Sequence, residues 1–327
     1  MLRQLLLIAS IAHIMALRAV LGGSGSAIMG EAAVVDAVLK LSGKSAGADF
    51  VVCYLGTATY DLPRFREGQT AGFAARGCEV IALDVARRNP GAKFIAETLA
   101  RADAVLVSGG NTLFAVDRWR RCGAVAPLRA ARDRGAVLCG GSAGAICWFD
   151  GGHSDSADPD SYHDAMTAGA GEGAAPGEGD EGGGKTWIYV RCPCLGFLPG
   201  LVCPHHDRTQ SNGVLRSEDF DAMLLRHPGE RGVCVDHFAA LVIDGADYSV
   251  LALDGKPGSL GAGAAPIFDG SGSPGVWIKT VAAGAVVARA APPAGKLADI
   301  LQPAAAIVED PRIPAVREEN PSDRERE

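Results

Sequence analysis

The sequence predicts an α/β fold, in which a mostly parallel central sheet is covered by helices on both faces. The first half of the chain alternates short apolar runs with longer amphipathic stretches, as repeated strand–helix units do. The apolar runs are nearly continuous, which is typical of parallel strands that are buried on both faces. With 327 residues, of which 48% are hydrophobic, the chain is long enough to bury the core of such a fold.

Each strand of the first half is predicted at an apolar run, and most of these runs end in glycine or small polar residues. The five predicted strands cover residues 17–23, 49–59, 77–85, 102–112 and 135–141. The predicted helices cover residues 31–43, with Gly43 as a stop signal, and residues 94–102, 113–121 and 143–149. Ligands bind beyond the carboxyl ends of the strands in such folds, so the loops at those ends are the candidate site.

The second half is predicted to be richer in strands. Structure resumes at "WIYV" (187–190), and a helix is predicted over residues 217–227 with Ser217 as its N-cap. Residues 232–245 and 248–255 are predicted to pair as strands, and "GVWIKTV" and "GAVVARA" are predicted to form a late hairpin.

Composition divides the chain into one domain with flanking and inserted segments. Residues 17–302 are predicted to form a single α/β domain, and residues 156–186, rich in Gly, Ala and acids, a flexible surface insertion. Residues 303–327 are rich in Pro, Ala and charge, and are predicted to be a disordered tail. Residues 1–16 are interpreted as an N-terminal extension, either a targeting segment or an artefact.

Charge and cysteine content limit the partners and the compartment. The net charge is −7 and no basic block is present, so nucleic acid is not expected to bind. His13 and Arg18 interrupt the apolar N-terminus, which is too short for a membrane span. Several of the nine cysteines lie in apolar runs, and the cysteines are expected to be buried free thiols. A cytoplasmic monomer or homodimer is predicted, or an organellar or secreted protein if residues 1–16 are a targeting segment.

The motif "GGSAG" (140–144) places Ser142 between a predicted strand and a predicted helix. This strand–turn–helix setting is that of a nucleophile elbow, where small neighbours allow a strained turn and the next N–H faces an oxyanion. The alternative is a tight turn with an ordinary N-capping serine, and motif and context alone balance the two evenly.

A second loop, "SGGNT" (108–112), ends the neighbouring predicted strand. Gly109 and Gly110 can leave a backbone N–H free to face the same space as Ser142, which would provide a second oxyanion donor. The alternative is a further glycine-rich turn, which is routine in this fold.

A serine nucleophile needs a base, and two adjacent histidines follow the apolar strand "GLVCP". Either His205 or His206 can serve, with Asp236 or Asp155 as the third member, or the pair can be an ordinary polar loop. A zinc site is a competing interpretation, although its C-x-C spacing is unusual. Its ligands would come from Cys192, Cys194, Cys203, His205 and His206.

Together these motifs resemble peptidase family S51, which contains peptidase E and, more distantly, cyanophycinase. The resemblance covers about residues 17–255 in family order. It is carried by "LGTATYD", "VSGGNT", "GGSAGAICWFDGGHSDS", "LGFLPGLVCPHHD" and "VDHFAAL". The resemblance implies a three-layer α/β sandwich related to class I glutamine amidotransferases, with serine in place of their cysteine.

The resemblance also assigns roles. It implies that Ser142 is the nucleophile, His205 the base and Asp236 the third member of the triad. The oxyanion donors would be the N–H groups of Gly110 and Ala143, and no cofactor or metal is required.

The implied activity is hydrolysis of short peptides, including dipeptides with an N-terminal Asp. Asn111, Thr112 and Arg216 are the candidate substrate-binding residues, with Arg208 as a rival to Arg216 and a solvated helix start as the other interpretation of Arg216. The alternatives are a non-catalytic ligand-binding member of the fold, or a cyanophycinase-like hydrolase or esterase.

Overall fold

The computed structural model describes residues 17–169, 186–263, 265–304 and 306–321. These residues form two β-sheets and a set of helices, so the α/β class predicted from the sequence is confirmed. The predicted central sheet is present, and a second sheet of six strands packs on one side of it.

The first sheet has eight strands. The five strands that lie side by side at one end of the sheet are mutually parallel. The remaining three strands run antiparallel to their neighbours and are added beyond β1 (Arg18–Gly22). In spatial order the strands are β14 (Ala294–Lys296), β11 (Asp247–Ala252), β10 (Ala239–Asp244), β1 (Arg18–Gly22), β5 (Val137–Gly141), β4 (Ala104–Val107), β2 (Val51–Leu55) and β3 (Glu79–Ala82).

The second sheet has six strands, and three of them are parallel: β6 (Phe149–Ser154), β8 (Leu198–Cys203) and β9 (Gly232–Val235). Its edge contains the predicted hairpin, which is confirmed: β12 (Val276–Ala282) and β13 (Ala285–Ala290) pair antiparallel. In spatial order the strands are β13 (Ala285–Ala290), β12 (Val276–Ala282), β9 (Gly232–Val235), β8 (Leu198–Cys203), β6 (Phe149–Ser154) and β7 (Val190–Pro193).

The helices connect and cover the two sheets. The first helix, α1 (Ala32–Ser42), ends as predicted at Gly43, whose φ of +70° is accessible to glycine and whose N–H donates to the carbonyl of Lys40. The helices are α1 (Ala32–Ser42), α2 (Pro63–Ala74), α3 (Ala92–Arg101), α4 (Thr112–Arg121), α5 (Val125–Asp133), α6 (Ala143–Ile146), α7 (His163–Thr167), α8 (Arg216–Arg226), α9 (Leu297–Ile300) and α10 (Ile313–Glu319).

The alternation of side chains along each strand gives the first sheet two buried faces. Val20 and Val52 pack with α1 on one face. Ala19 and Cys53 point the other way, into a core shared with α3, α4 and the inner face of the second sheet. The outer face of the second sheet packs on α8. Continuous apolar strands are therefore explained by burial on both faces.

Two predicted helices differ in the structure, one from each half of the chain. The helix predicted over residues 143–149 is a single turn, α6, because the chain continues at once as β6, whose Gly152 packs against Ile146 with no room for a Cβ. α8 begins at Arg216 with Leu215 as its N-cap, so Ser217 is not the cap; its hydroxyl oxygen instead accepts a hydrogen bond of 2.8 Å from Lys279 Nζ.

The predicted strand 232–245 is two strands in two sheets. β9 belongs to the second sheet and β10 to the first, so Asp236–Phe238 cross from one sheet to the other. The N–H of Asp236 donates to the carbonyl of Gly275, and the N–H of Ala239 donates back to the carbonyl of Asp236, which closes a turn. This crossing places Asp236 and His237 between the sheets.

Parts of the segments predicted to be flexible are structured. Residues 156–169 contain a short turn of 3₁₀ helix and α7, and Ser156 and Ser161 are fully buried. Residues 170–185 and 1–16 lie outside the described residues.

The C-terminal segment also differs from the predicted disordered tail. α10 buries Ile313 and Val316, and Arg317 Nε lies 2.6 Å from Asp117 Oδ2. Ile313 and Val316 lie three positions apart and share one helix face. The charged residues around them in the sequence nevertheless favour the prediction of a disordered tail.

The nine cysteines are free thiols, and all except the half-buried Cys122 are buried, as predicted. In the described ranges no helix is long and apolar enough to cross a membrane.

We expect Ile313→Ala to destabilise the protein by about 2 kcal/mol or more, because it removes a buried side chain. Val308→Ala, at a side chain 52% exposed in the same segment, is the control and should change stability by less than about 0.5 kcal/mol. Urea unfolding of both variants gives the comparison. Equal effects would contradict the packing of α10.

Candidate active site

Ser142 occupies a strained turn between β5 and α6. Its φ of 54° and ψ of −121° are uncommon for a residue other than glycine. Its side chain makes no capping hydrogen bond, so Ser142 is not an ordinary N-capping serine. Its N–H donates to the carbonyl of Gly22 at 3.2 Å, and its carbonyl accepts from the N–H groups of Ala145 and Ile146. The surrounding backbone thus holds a conformation that costs energy.

The glycines of "GGSAG" are required by close backbone contacts. A Cβ on Gly141 would lie 1.6 Å from the carbonyl oxygen of Ser24. A Cβ on Gly144 would lie 2.2 Å from the carbonyl oxygen of Val107. No side chain can replace hydrogen at these positions without moving the backbone, so both glycines are steric requirements of the turn.

The "SGGNT" loop lies beside Ser142. A Cβ on Gly109 would come 3.6 Å from the Cβ of Ser142. Gly110 has a φ of 109°, and its backbone packs against the carbonyl of Ala58 so closely that a Cβ would lie 2.3 Å from that oxygen. The N–H of Ala143 is the first of α6, and such N–H groups have no acceptor within their helix. The two loops that the sequence places at one sheet edge are adjacent.

His205 is anchored next to Ser142 through the end of β1. Its N–H donates to the carbonyl of Gly23 at 3.0 Å, one residue from the carbonyl that holds Ser142. Its φ of 49° is also in the left-handed region, and its side chain is buried. Within the part of the chain that the structure describes, His205 Nε2 has no hydrogen-bond partner, so it makes no bond with Ser142 Oγ here. Hydrogen bonds of a catalytic pair are often long before substrate binds.

The histidines and the residues facing them form two crossed pairs. His205 Nδ1 lies 2.8 Å from His237 Nδ1, and His206 Nδ1 lies 3.1 Å from Asp236 Oδ1. The sequence prediction joined Asp236 to His205, whereas the structure joins it to His206. Asp236 and His237 are consecutive residues where the chain turns between the two sheets, and their side chains reach different partners.

The carboxylate of Asp236 is fully used on the His206 side. Its Oδ2 accepts hydrogen bonds from the N–H groups of Ser259 and Gly275, at 2.9 and 3.0 Å. The Ser259 hydroxyl also donates to this carboxylate and accepts from Trp277 Nε1. Asp236 therefore ties the crossing between the sheets to the loop before β12.

Burial keeps the imidazoles of His205 and His237 neutral. Desolvation lowers the pKa of His205 well below its ordinary value, with smaller contributions from His237, Arg216 and Arg208. Desolvation, with Arg208, lowers the pKa of His237 to about 3. At neutral pH His205 is thus an uncharged imidazole with a buried, unpartnered Nε2.

Asn111 and Thr112 serve the fold around this site. The Asn111 side chain caps α4 by accepting from the N–H of Phe114, and its amide donates to Ser156 and Ser161. The Thr112 hydroxyl accepts from the hydroxyl of Ser154 and is fully buried. Both amide hydrogens of Asn111 are thus bound within the protein, so the predicted substrate contact would have to displace one of these partners.

Arg216 is fully buried and is not a solvated helix start. Its Nη1 lies 3.1 Å from Asp155 Oδ2, its Nη2 donates to the carbonyl of His153, and its guanidinium lies over the ring of Tyr189. Asp155, one candidate third member of the triad, is therefore the partner of Arg216. Arg208 lies over the ring of Phe238, with Nε 3.7 Å from Asp207.

The competing zinc interpretation has no matching cluster. In the described ranges, no three His, Cys, Asp or Glu side chains are grouped as ligands of one metal ion.

Comparison with known proteins identifies the family. The model of Peptidase family S51 matches residues 19–251. This range includes the "SGGNT" and "GGSAG" loops and the pairs His205–His237 and His206–Asp236. The chain belongs to peptidase family S51. This family supports a peptidase activity, the coarser part of the function predicted from the sequence.

The relatives differ in extent. A protein of Trypanosoma brucei brucei named G2/mitotic-specific cyclin-1 is 35% identical over 256 residues, 72% of this chain and 75% of that protein. The uncharacterized peptidase YgaJ of Bacillus subtilis (strain 168) is 29% identical over 156 residues, 48% of this chain and 54% of its own length. The solved structure of a peptidase from an acI-B1 Actinobacterium covers 86% of this S51 chain and 97% of its own, with a TM-score of 0.56 and 14% identity, a likeness of fold.

Two parts of the site are not among the residues predicted from the sequence. The Gly22–Gly25 segment supplies the carbonyls that hold Ser142 and His205, and His237 supplies the partner of His205. The signal for the first is the run "GGSGS" at the end of β1, since glycines at a strand end allow close backbone approach. The signal for His237 is its place beside Asp236 at a strand end.

We expect Gly141→Ala to destabilise the S51 domain by about 3 kcal/mol or more, because its Cβ would overlap the carbonyl of Ser24. Gly68→Ala is the matched control, since a Cβ there meets nothing within 4 Å inside α2. The control should be stabilised by about 0.5–1 kcal/mol. Thermal unfolding measures both, and a Gly141→Ala variant as stable as the wild type would contradict the packing.

Proposed function

We propose that this S51 member is a serine peptidase that hydrolyses short peptides through an acyl-enzyme on Ser142, with His205 as the base. One observation carries the proposal: Ser142 and His205 both have strained backbones and are held by neighbouring carbonyls, those of Gly22 and Gly23. Strain of this kind persists at functional sites because the surrounding structure over-determines it. The turn at Ser142 has the strand–turn–helix form of a nucleophile elbow.

The chemistry follows the serine-peptidase pattern. Ser142 Oγ attacks the peptide carbonyl carbon while its proton moves to His205 Nε2. The C–N bond then breaks, and His205 returns the proton to the leaving amine. Water attacks the resulting ester with His205 again accepting a proton, which releases the acid and restores Ser142. Nε2 is suited to this task because it is buried, neutral and without another partner.

The tetrahedral intermediate carries an oxyanion that needs donors. The N–H groups of Gly110 and Ala143 are proposed for this role, because Ala143 follows Ser142 directly and Gly110 follows Gly109, where a Cβ would lie 3.6 Å from the Cβ of Ser142. Loss of one such donor typically raises the barrier by about 3 kcal/mol.

Substrate choice is less specific than the resemblance implies. An N-terminal Asp would be bound by a guanidinium, yet Arg216 is already neutralised by Asp155 at 3.1 Å and is fully buried. An acidic substrate side chain would have to displace this partner or use Arg208. We therefore propose short peptides as the substrate class, with dipeptides that begin with Asp as one member of a test panel. β-Aspartyl-arginine bonds and esters complete that panel.

We expect a fluorophosphonate probe to label Ser142, with Oγ displacing fluoride from phosphorus, and Ser142→Ala to abolish both labelling and hydrolysis of the panel. Ser154→Ala, at a buried serine that bonds Thr112, controls for general damage and should remain labelled at Ser142. Mass spectrometry of the labelled peptide identifies the site. Hydrolysis that persists in Ser142→Ala would overturn the proposal, and an unlabelled, inactive wild type would favour a non-catalytic member of the family.

We expect the labelling rate to stay constant from about pH 8 down to the ordinary histidine pKa of about 6.5, and to fall only below it. The base must be neutral to accept a proton, and burial lowers the pKa of His205, so the neutral form persists to lower pH. A pH series of labelling rates gives the acid limb. A midpoint at or above pH 6.5 would contradict the buried, neutral His205.

A further inference from the structure

The contact between His205 and His237 restricts where their protons lie. Their Nδ1 atoms are 2.8 Å apart and both rings are buried. Two nitrogens at this distance share one hydrogen, so one Nδ1 donates and the other accepts. Since both imidazoles are neutral, the donor carries its single proton on Nδ1 and the acceptor carries its proton on Nε2.

Only one of these two arrangements leaves His205 able to act as a base. If His205 Nδ1 donates, its Nε2 keeps a lone pair, and His237 has its proton on Nε2. If His237 donates, the proton of His205 lies on Nε2 and the base is lost. When His237 Nδ1 is the acceptor, the contact fixes the tautomer of His205 that a base needs, which is the role of the orienting carboxylate in a Ser-His-Asp triad.

The surroundings hold His237 in place for this contact. Its N–H donates to Asp207 Oδ1 at 2.7 Å, and its ring meets the ring of Phe238 edge-on at 4.5 Å. Asp236, the preceding residue, is fixed by Ser259 and Gly275. His237 therefore lies on a segment that hydrogen bonds fix in place where the chain crosses between the two sheets.

We propose that His237 is the positioning residue of the base His205, and that the His206–Asp236 pair is structural. This inference rests on the proposed function, since it assigns a partner to the proposed base. It differs from the role that the resemblance gave to Asp236. A neutral imidazole sets the tautomer of His205, but it lacks the negative charge with which a carboxylate would stabilise the protonated base.

The charge difference supplies the test. His237→Glu places a carboxylate next to His205 Nδ1 and should move the acid limb of Ser142 labelling up by about one to three pH units. His237→Gln keeps a neutral acceptor, so its acid limb should stay near that of the wild type. His237→Ala removes the acceptor and should slow labelling by about 10²- to 10⁴-fold. A purely structural role for His237 would not move the acid limb in this order.

The other groups near this pair are controlled in the same series. The positive charges of Arg208 and Arg216 contribute to the lowered pKa of His205, whereas burial and Asp236 raise the pKa of Asp207 to about 6. Asp207→Asn keeps an acceptor for the N–H of His237 and removes that titration, so the limb that remains in this variant belongs to His205.

His206→Asn separates the two histidine pairs, because its amide can still donate to Asp236. Its acid limb should match that of the wild type. The inference is overturned if the His237 variants keep the wild-type rate and acid limb, or if Asp236→Asn and His206→Asn reproduce the effects expected at His237. The proposed function fails separately, if Ser142 of the wild type is not labelled at all.

Discussion

The site depends on the close approach of backbone segments at the Gly22–Gly25 loop. Its carbonyls accept hydrogen bonds from the N–H groups of Ser142 and His205. Its glycines leave no space for side chains, since a Cβ on Gly23 would lie 1.9 Å from the carbonyl oxygen of Asp236. Direct contact between backbones transmits position without the rotamer freedom that side chains have. Two residues from distant parts of the sequence are thereby fixed relative to one another by the end of a single strand, β1.

Burial then determines the electrostatics of this arrangement. Desolvation favours the neutral form of His205 and of His237, and Arg216 is neutralised by Asp155. The imidazoles beside the proposed nucleophile thus carry no charge in the resting state, and charge appears there when a proton moves to His205. In a low-dielectric environment fixed N–H dipoles stabilise such charge more strongly than water-exposed groups do.

The sequence predicted what periodicity and steric signals encode, and it missed what the tertiary contacts decide. The parallel strands, the stop at Gly43 and the turn at Ser142 are local properties of apolar runs and glycines, so they could be predicted. The division of residues 232–245 between two sheets could not, because both halves are equally apolar and pair with different strands. The helix α10 was hidden by its charged neighbours, and the internal partners of Asn111 come from residues 45 and 50 positions away.

The pairing of the histidines shows how one backbone angle decides a network that the motif leaves open. In the second sheet β8 and β9 are parallel, and Cys203 lies opposite Cys234. That register, continued past both strand ends, would set His205 opposite Asp236, the pair expected from the resemblance. The left-handed φ of His205 breaks the register, so His205 meets His237 and His206 meets Asp236. Side chains alternate sides with every residue along a β-strand. A turn of the backbone at His205 therefore changes the partner of His205 and the partner of His206. The strained backbone at His205 therefore accompanies its unusual neutral partner, His237.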